Sequence, residues 1–316
     1  MRKGRLQNKV SGSMFTLPVA AVIAALLWWM PAGHYELSTG IGIALAAIVA
    51  YVLLETNNKN MLIRVRSRMV SSCWVFFAAV IASMHPFSFG LLSSLFLSIS
   101  YYLLFKTYQQ QDPVRYSFHA ALMLGVSACL VPHVIAFVVL FIWHQMVFLR
   151  SMTFRALFAI LIGSLFPFLL WGGYCLFVDD YSMLLDWVGR LISYDRIQPS
   201  NYTALTIQAI ASWLLPSLLI LIGCVHYLFT SYNDKIQVRM MLYIYVVQFL
   251  AIEIFVGLQP AHCVTWLPLL LVSGVPLLAH FYALTSSWFT NFLFVLSALL
   301  LAGLAYLNLW MPLQSF

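Results

Sequence analysis

Apolar residues run through this chain in long unbroken blocks. They do not alternate with polar ones, and polar residues collect in short stretches between the blocks. Continuous apolar runs approaching roughly 20 residues predict helices that cross hydrocarbon, because about 1.5 Å of rise per residue must cover about 30 Å. Eleven such segments are predicted, at 14–31, 38–54, 69–84, 89–105, 117–131, 133–149, 156–177, 204–230, 240–258, 264–283 and 290–311. A membrane barrel would show alternating residues in short strands, so the expected fold class is all-α, a polytopic transmembrane helical bundle. The blocks recur with no break long enough to fold separately, which predicts one integral membrane domain over residues 1–316.

Composition agrees. Of 316 residues, 63% are hydrophobic and 8% charged, against about 25% charged in a soluble domain. The five cysteines are dispersed, without a C-x-x-C pair, so neither a zinc site nor a disulfide framework is indicated. The histidines show no H-E-x-x-H or H-x-x-x-H spacing, and no phosphate-cradling glycine motif occurs. No metal and no cofactor are therefore expected.

The net charge of +7 is carried by short connections: Arg2, Lys3, Arg5 and Lys9; Lys59, Arg64, Arg66 and Arg68; Lys106 and Arg115; Arg150 and Arg155; Lys235 and Arg239. These alternate with cation-poor connections. Lys and Arg accumulate in cytoplasmic loops, so the expected location is a bacterial inner membrane, with the amino terminus cytoplasmic and the carboxyl terminus periplasmic. The charge then calls for a lipid bilayer as partner and for no nucleic acid. The cationic start before an apolar run is read as an uncleaved first helix. Between Arg115 and Arg150 lie mostly apolar residues with Pro132 midway. Two short helices turning near Val131 to His133 satisfy both the length and the charges; a re-entrant hairpin is the alternative.

Polar chemistry is expected at the outer end, where Glu36, Asp179, Asp180, Asp186 and Asp195 would lie. Glu253, an ionisable group within a membrane segment, is the first functional candidate. It faces a cavity or reaches the headgroups, and Gly257 one turn on would allow close approach. The outer loop 178–203 carries an amphipathic pattern in which Leu184, Leu185, Val188, Leu191 and Ile192 share a face. It predicts an interfacial helix capped by Ser182, with Asp186 paired to Arg190 and Trp187 at headgroup depth. That helix is a passive anchor or a lid. Arg190 and Arg196 are candidate phosphate ligands, and Asp195 or Glu36 a candidate base.

The features Asn57 to Ser67 before a span, His85-Pro86-Phe87 at a tight turn, Leu95 to Tyr108 before a basic loop, and the small-residue run Ala120 to Pro132 resemble an uncharacterised family of polytopic inner-membrane proteins of Bacteroidetes-type bacteria. A more distant similarity, in short helices with proline turns, is to membrane glycosyltransferases that use lipid-linked sugars. That similarity implies outer-face catalysis and a carboxylate in the first outer loop, here Glu36. The leading expectation is thus a protein handling a lipid-linked or amphiphilic substrate. A transporter, with Glu253, Gln248 and Pro216 along its path, and a non-catalytic subunit bound to a membrane protein partner are the alternatives.

Overall fold

The computed structural model describes residues 5–29, 37–65, 67–196 and 198–309. Among these it contains helices and no strand. The α-helices are α1 (Leu6–Gly12), α2 (Thr16–Trp29), α3 (Leu37–Asn60), α4 (Met69–Val80), α5 (Phe89–Phe105), α6 (Val114–Leu130), α7 (Phe137–Val147), α8 (Phe154–Val178), α9 (Ser182–Ile192), α10 (Pro199–Thr203), α11 (Ile207–Thr230), α12 (Ile236–Leu258), α13 (Cys263–Leu284) and α14 (Trp288–Leu309). Short 3-10 turns at Ala82–Met84, Pro132–Ala136, Ser231–Asn233 and Pro260–His262 join several of them.

Each predicted apolar segment falls on a helix, yet their lengths differ. Among the described residues six helical segments are long and apolar enough to cross a membrane, or up to seven if α1 and α2, bent by 96°, count as one broken span. The stretches Met69–Val80, Phe89–Phe105, Val114–Leu130 and Pro132–Val147 are apolar but only 10–17 residues long. The 12 residues of α4 rise about 18 Å, which falls short of a hydrocarbon core of about 30 Å. The break between α6 and α7 lies at Val131 and Pro132, as the spacing of Arg115 and Arg150 predicts. Proline has no N–H to continue the ladder, so the chain leaves the helix there.

The chain clusters into two compact units, residues 1–91 with 199–316, and residues 92–198. At the centre of the first lies α13, whose apolar window is 94% buried against 28% for α14. Helices α4, α11 and α12 pack against α13. Small residues set the approach: Gly223 of α11 lies against the backbone of Leu277 and Leu278, and Gly274 of α13 receives the Ile220 side chain. Lining up 220 with 274 and 223 with 277 makes α11 and α13 run parallel in register. The turn after α4 is held against α3: a Cβ on Gly42 would lie 2.0 Å from the His85 carbonyl oxygen. The Phe87 N–H donates to the Ser38 carbonyl at 3.0 Å.

In the second unit α6 packs along α8 through glycines on both sides. A Cβ on Gly125 would come 2.4 Å from the Ser164 carbonyl oxygen, and one on Gly163 would come 2.5 Å from that of Phe118. The buried faces Ser117, Ala121, Gly125 and Ala128 of α6, and Ala156, Ile160, Gly163 and Ser164 of α8, are mostly small. Without a hydrophobic drive between helices in lipid, close van der Waals contact of this kind holds them together. The outward faces are apolar too: Phe158, Ile162, Leu165, Leu169 and Phe177 of α8 and Leu214, Leu218, Leu228 and Phe229 of α11 are exposed. Exposed apolar stripes along long helices fit a hydrocarbon solvent.

Candidate functional site

The first unit carries polar chemistry at both ends. At the end holding Arg64 and Lys235, Asp234 follows α11 and its 3-10 turn, and the parallel register brings it to His280 near the end of α13. His280 donates Nε2–H to Asp234 Oδ2 at 2.8 Å, and both side chains are buried. Arg64 reaches Asp234 Oδ1 with Nε at 3.5 Å and donates from Nη1 to the Asn233 carbonyl at 3.1 Å. Tyr227 packs edge-on against the imidazole, and the Tyr243 and Ser231 hydroxyls bond at 2.9 Å. His280 Nδ1 is buried and bonds to nothing. In the neutral ring Nδ1 is only an acceptor, and leaving it bare costs less than burying an unpaired N–H. The Asp234 carboxylate thus meets the imidazole on one oxygen and the Arg64 guanidinium on the other.

The same unit holds a partly open apolar cavity of about 410 Å³, lined by α1, α2, α4, α13 and α14. Its wall is made by residues such as Ile23, Phe76, Phe77, Leu278, Phe294 and Leu301, and Lys9 is its one charged lining residue among those described. Most lining hydroxyls are already bonded to the protein, and Ser13 accepts the Phe15 N–H. Tyr282 donates to Ser297 at 2.8 Å and Ser297 to the Phe294 carbonyl at 2.8 Å; Ser72 donates to Arg68 O at 2.9 Å and Thr16 to Ser13 O at 3.1 Å. The wall therefore offers an occupant apolar contact, with one ammonium at the edge.

Helix α1 forms one side of that cavity, and a single buried residue fixes it there. Gln7 Nε2 donates to Tyr282 O at 2.9 Å and Thr285 Oγ1 at 2.7 Å, and the Gln7 N–H donates to Asn291 Oδ1 at 3.1 Å. Ser67 adds a bond to Ser11 O at 2.6 Å. Helix α1 carries Lys9 in its last turn, where a cation is favourable to the helix dipole.

At the opposite end of the same unit is Glu253, on α12. Trp213 of α11 donates its indole N–H to Glu253 Oε2 at 3.2 Å. Glu253 Oε1 and the hydroxyl of Ser217, one turn beyond Trp213, are buried next to each other. Trp213 also lines a recess of about 250 Å³ together with Ser83, Thr206, Gln208, Ser212 and Asn308. Ser83, Pro86 and Thr206 at its edge are exposed. Asn308 spans the recess wall, donating to Val80 O at 3.2 Å and to Ser212 Oγ at 3.0 Å. Gly257 meets no helix: a Cβ there would touch nothing within 4 Å. Instead its carbonyl accepts the Tyr202 hydroxyl.

The other expected site residues lie outside the first unit's described residues. Glu36 lies outside the described residues. Arg190, Asp195 and Arg196 belong to the second unit and are exposed, the first on α9 and the others on the segment after it. The α9 helix forms, but its details differ from expectation. Its start is capped by Asp180, whose Oδ1 accepts the Ser182 N–H at 2.9 Å, while Ser182 itself is the first helical residue. That N–H bond holds the Asp180 carboxyl below its ordinary range. Asp186 and Arg190, one turn apart, form no ion pair. Trp187 turns inward, donating to the Ala128 carbonyl at 3.0 Å and packing against Phe168. Leu184 and Leu191 share that half-buried side, so Leu185, Val188 and Ile192 form a separate exposed stripe.

The Asp234–His280 pair escaped the sequence reading because its members stand 46 residues apart and form no motif. A polar residue close behind α11 and a histidine near the end of α13 were the only signals. Among the described residues, no three His, Cys, Asp or Glu side chains gather to hold a metal ion. Comparison with protein-family models, with curated proteins and with solved structures finds no match to this chain.

Proposed function

We propose that this chain crosses a bacterial inner membrane several times, with its cation-rich connections in the cytoplasm, and handles an amphiphile with an apolar tail and an anionic head. The observation that carries the reading is the cavity of about 410 Å³ whose wall is mainly apolar and whose one charge among the described residues is Lys9. Sites of about 300–1,000 Å³ with apolar walls and few polar groups are the usual form of small-ligand pockets. Each methylene sheltered there contributes about 0.8 kcal/mol, and an ammonium at the edge selects a phosphate or carboxylate over a neutral head. The bend of 96° between α1 and α2 supports a lipid source. It turns α1 from the direction of α2, as expected for a helix lying along a membrane surface with Lys9 at headgroup level.

A photoactivatable phosphatidylglycerol bearing its reactive group on one acyl chain tests this in membranes. Crosslinks to peptides containing Phe76, Phe77 or Leu278 are expected, and Lys9→Glu should cut them several-fold while leaving those of a photoactivatable diacylglycerol unchanged. Absence of crosslinks in these peptides, or equal capture of both probes by the native protein, would reject the proposal.

A further inference from the structure

Glu253 is the remaining feature that an amphiphile site does not use. An ionisable group placed within an apolar helix is costly to insert, and chains that keep one employ it or neutralise it with a partner. Among the described residues no cation pairs with it. The carboxyl receives the Trp213 N–H on Oε2, and the Ser217 hydroxyl, one turn along α11, is its other polar neighbour. A charged carboxylate so placed has two neutral donors, Trp213 and Ser217, and no counter-ion among the described residues. A carboxylic acid suits the surroundings better, because its own O–H can be given to the Ser217 oxygen while Trp213 still serves the other oxygen.

Access is also provided for. The recess of about 250 Å³ has the exposed residues Ser83 and Thr206 and also Trp213 in its lining. Its lining of Ser83, Thr206, Gln208, Ser212 and Asn308 can hold water, which the apolar cavity beside Lys9 cannot do. Trp213 thus lines a recess that carries polar groups and gives its N–H to a half-buried carboxyl.

We infer that Glu253 is a proton-exchange site fed from this recess, with Trp213 as the gate between water and carboxyl. On loading, a hydronium in the recess gives up a proton, its O–H bond breaks and the O–H bond of the acid forms at Oε1; nothing is oxidised or reduced. The site takes a proton and no metal ion, since one carboxylate, one hydroxyl and an indole donor do not make the oxygen cage a hard cation needs.

Dicyclohexylcarbodiimide, an apolar reagent that adds to protonated carboxyls sheltered from water, provides the test on the full-length protein in membranes. Mass spectrometry should find the adduct on Glu253, decreasing about tenfold per pH unit above its midpoint as a single titrating site requires, and absent in Glu253→Gln. Trp213→Phe removes the donor that favours the ionised form, so its labelling should persist to higher pH. Sodium should not alter any of these profiles. No adduct on Glu253 at any pH, a yield independent of pH, or protection by sodium would each overturn the inference. None of these outcomes bears on the lipid crosslinks at the other end of the unit, so the two readings stand or fall separately.

Discussion

His85 shows how one side chain acquires an unusual role from its neighbours. It lies in the connection between α4 and α5, its Nε2–H donates to the Ala79 carbonyl at 2.8 Å, and Trp28 packs on its ring edge. Burial lowers its pKa from 6.5 to about 4, opposed in part by the Ala79 bond. In that window the unfolded chain binds a proton that the folded chain refuses, so stability must fall as pH drops from about 6.5 to about 4. The full loss, reached below the lower value, is about 3 kcal/mol. Thermal unfolding in mild detergent should show a shallower acid limb for His85→Gln than for the native protein; equal limbs would assign the acid sensitivity elsewhere. At the same scale, sequence spacing marked Glu253 as unusual, but only the fold supplied Trp213 and Ser217 around it.

The pairing of helices depends on where glycine is required. On α6 and α8, Gly125 and Gly163 each face a backbone carbonyl at a distance no Cβ tolerates, and a main-chain atom cannot rotate away. Helix propensity favours alanine over glycine by about 1 kcal/mol, so Gly125→Ala or Gly163→Ala tests packing against propensity. Packing should win, with a net loss of about 1–3 kcal/mol. Gly172 and Gly173 on α8 meet nothing within 4 Å, and alanine there should leave the melting temperature unchanged or raise it. A drop at Gly172 equal to that at Gly163 would contradict the α6–α8 register. The sequence displayed the small residues of this pair in the run Ala120 to Pro132, yet not their partners, because a glycine reveals its purpose only when the opposing backbone is known. Helix α9 makes the same point. Its amphipathic period was readable, whereas Trp187 turned inward because Ala128 offers a free carbonyl beyond the reach of local spacing.

For the whole molecule, the cation distribution and the helix lengths are separate constraints. The proposed sidedness puts the connections near Met61 and Lys235 in the cytoplasm, and those near Ala204 and Ala261 outside. Cysteines introduced at these four exposed positions, over a background lacking the native thiols, should react with an impermeant maleimide in intact cells only at positions 204 and 261. Labelling at 61 or 235 would invert the orientation and move Lys9 and its cavity to the outer face.

Hydrophobicity alone determined that the chain is helical and where its helices lie, since backbone satisfaction in hydrocarbon leaves few alternatives and the apolar blocks are long. It also marked the chain break at Pro132, a local property of the imide ring. Which blocks are long enough to cross, which helix is enclosed by the others, and which polar groups meet were decided by tertiary structure. Asp234 and His280 meet because α11 and α13 run parallel in one register, and Gln7 is buried because α1 folds back onto the far end of the chain. Such meetings depend on packing between segments distant in sequence, and an apolar pattern that is alike on every helix carries no instruction about which neighbour it will find.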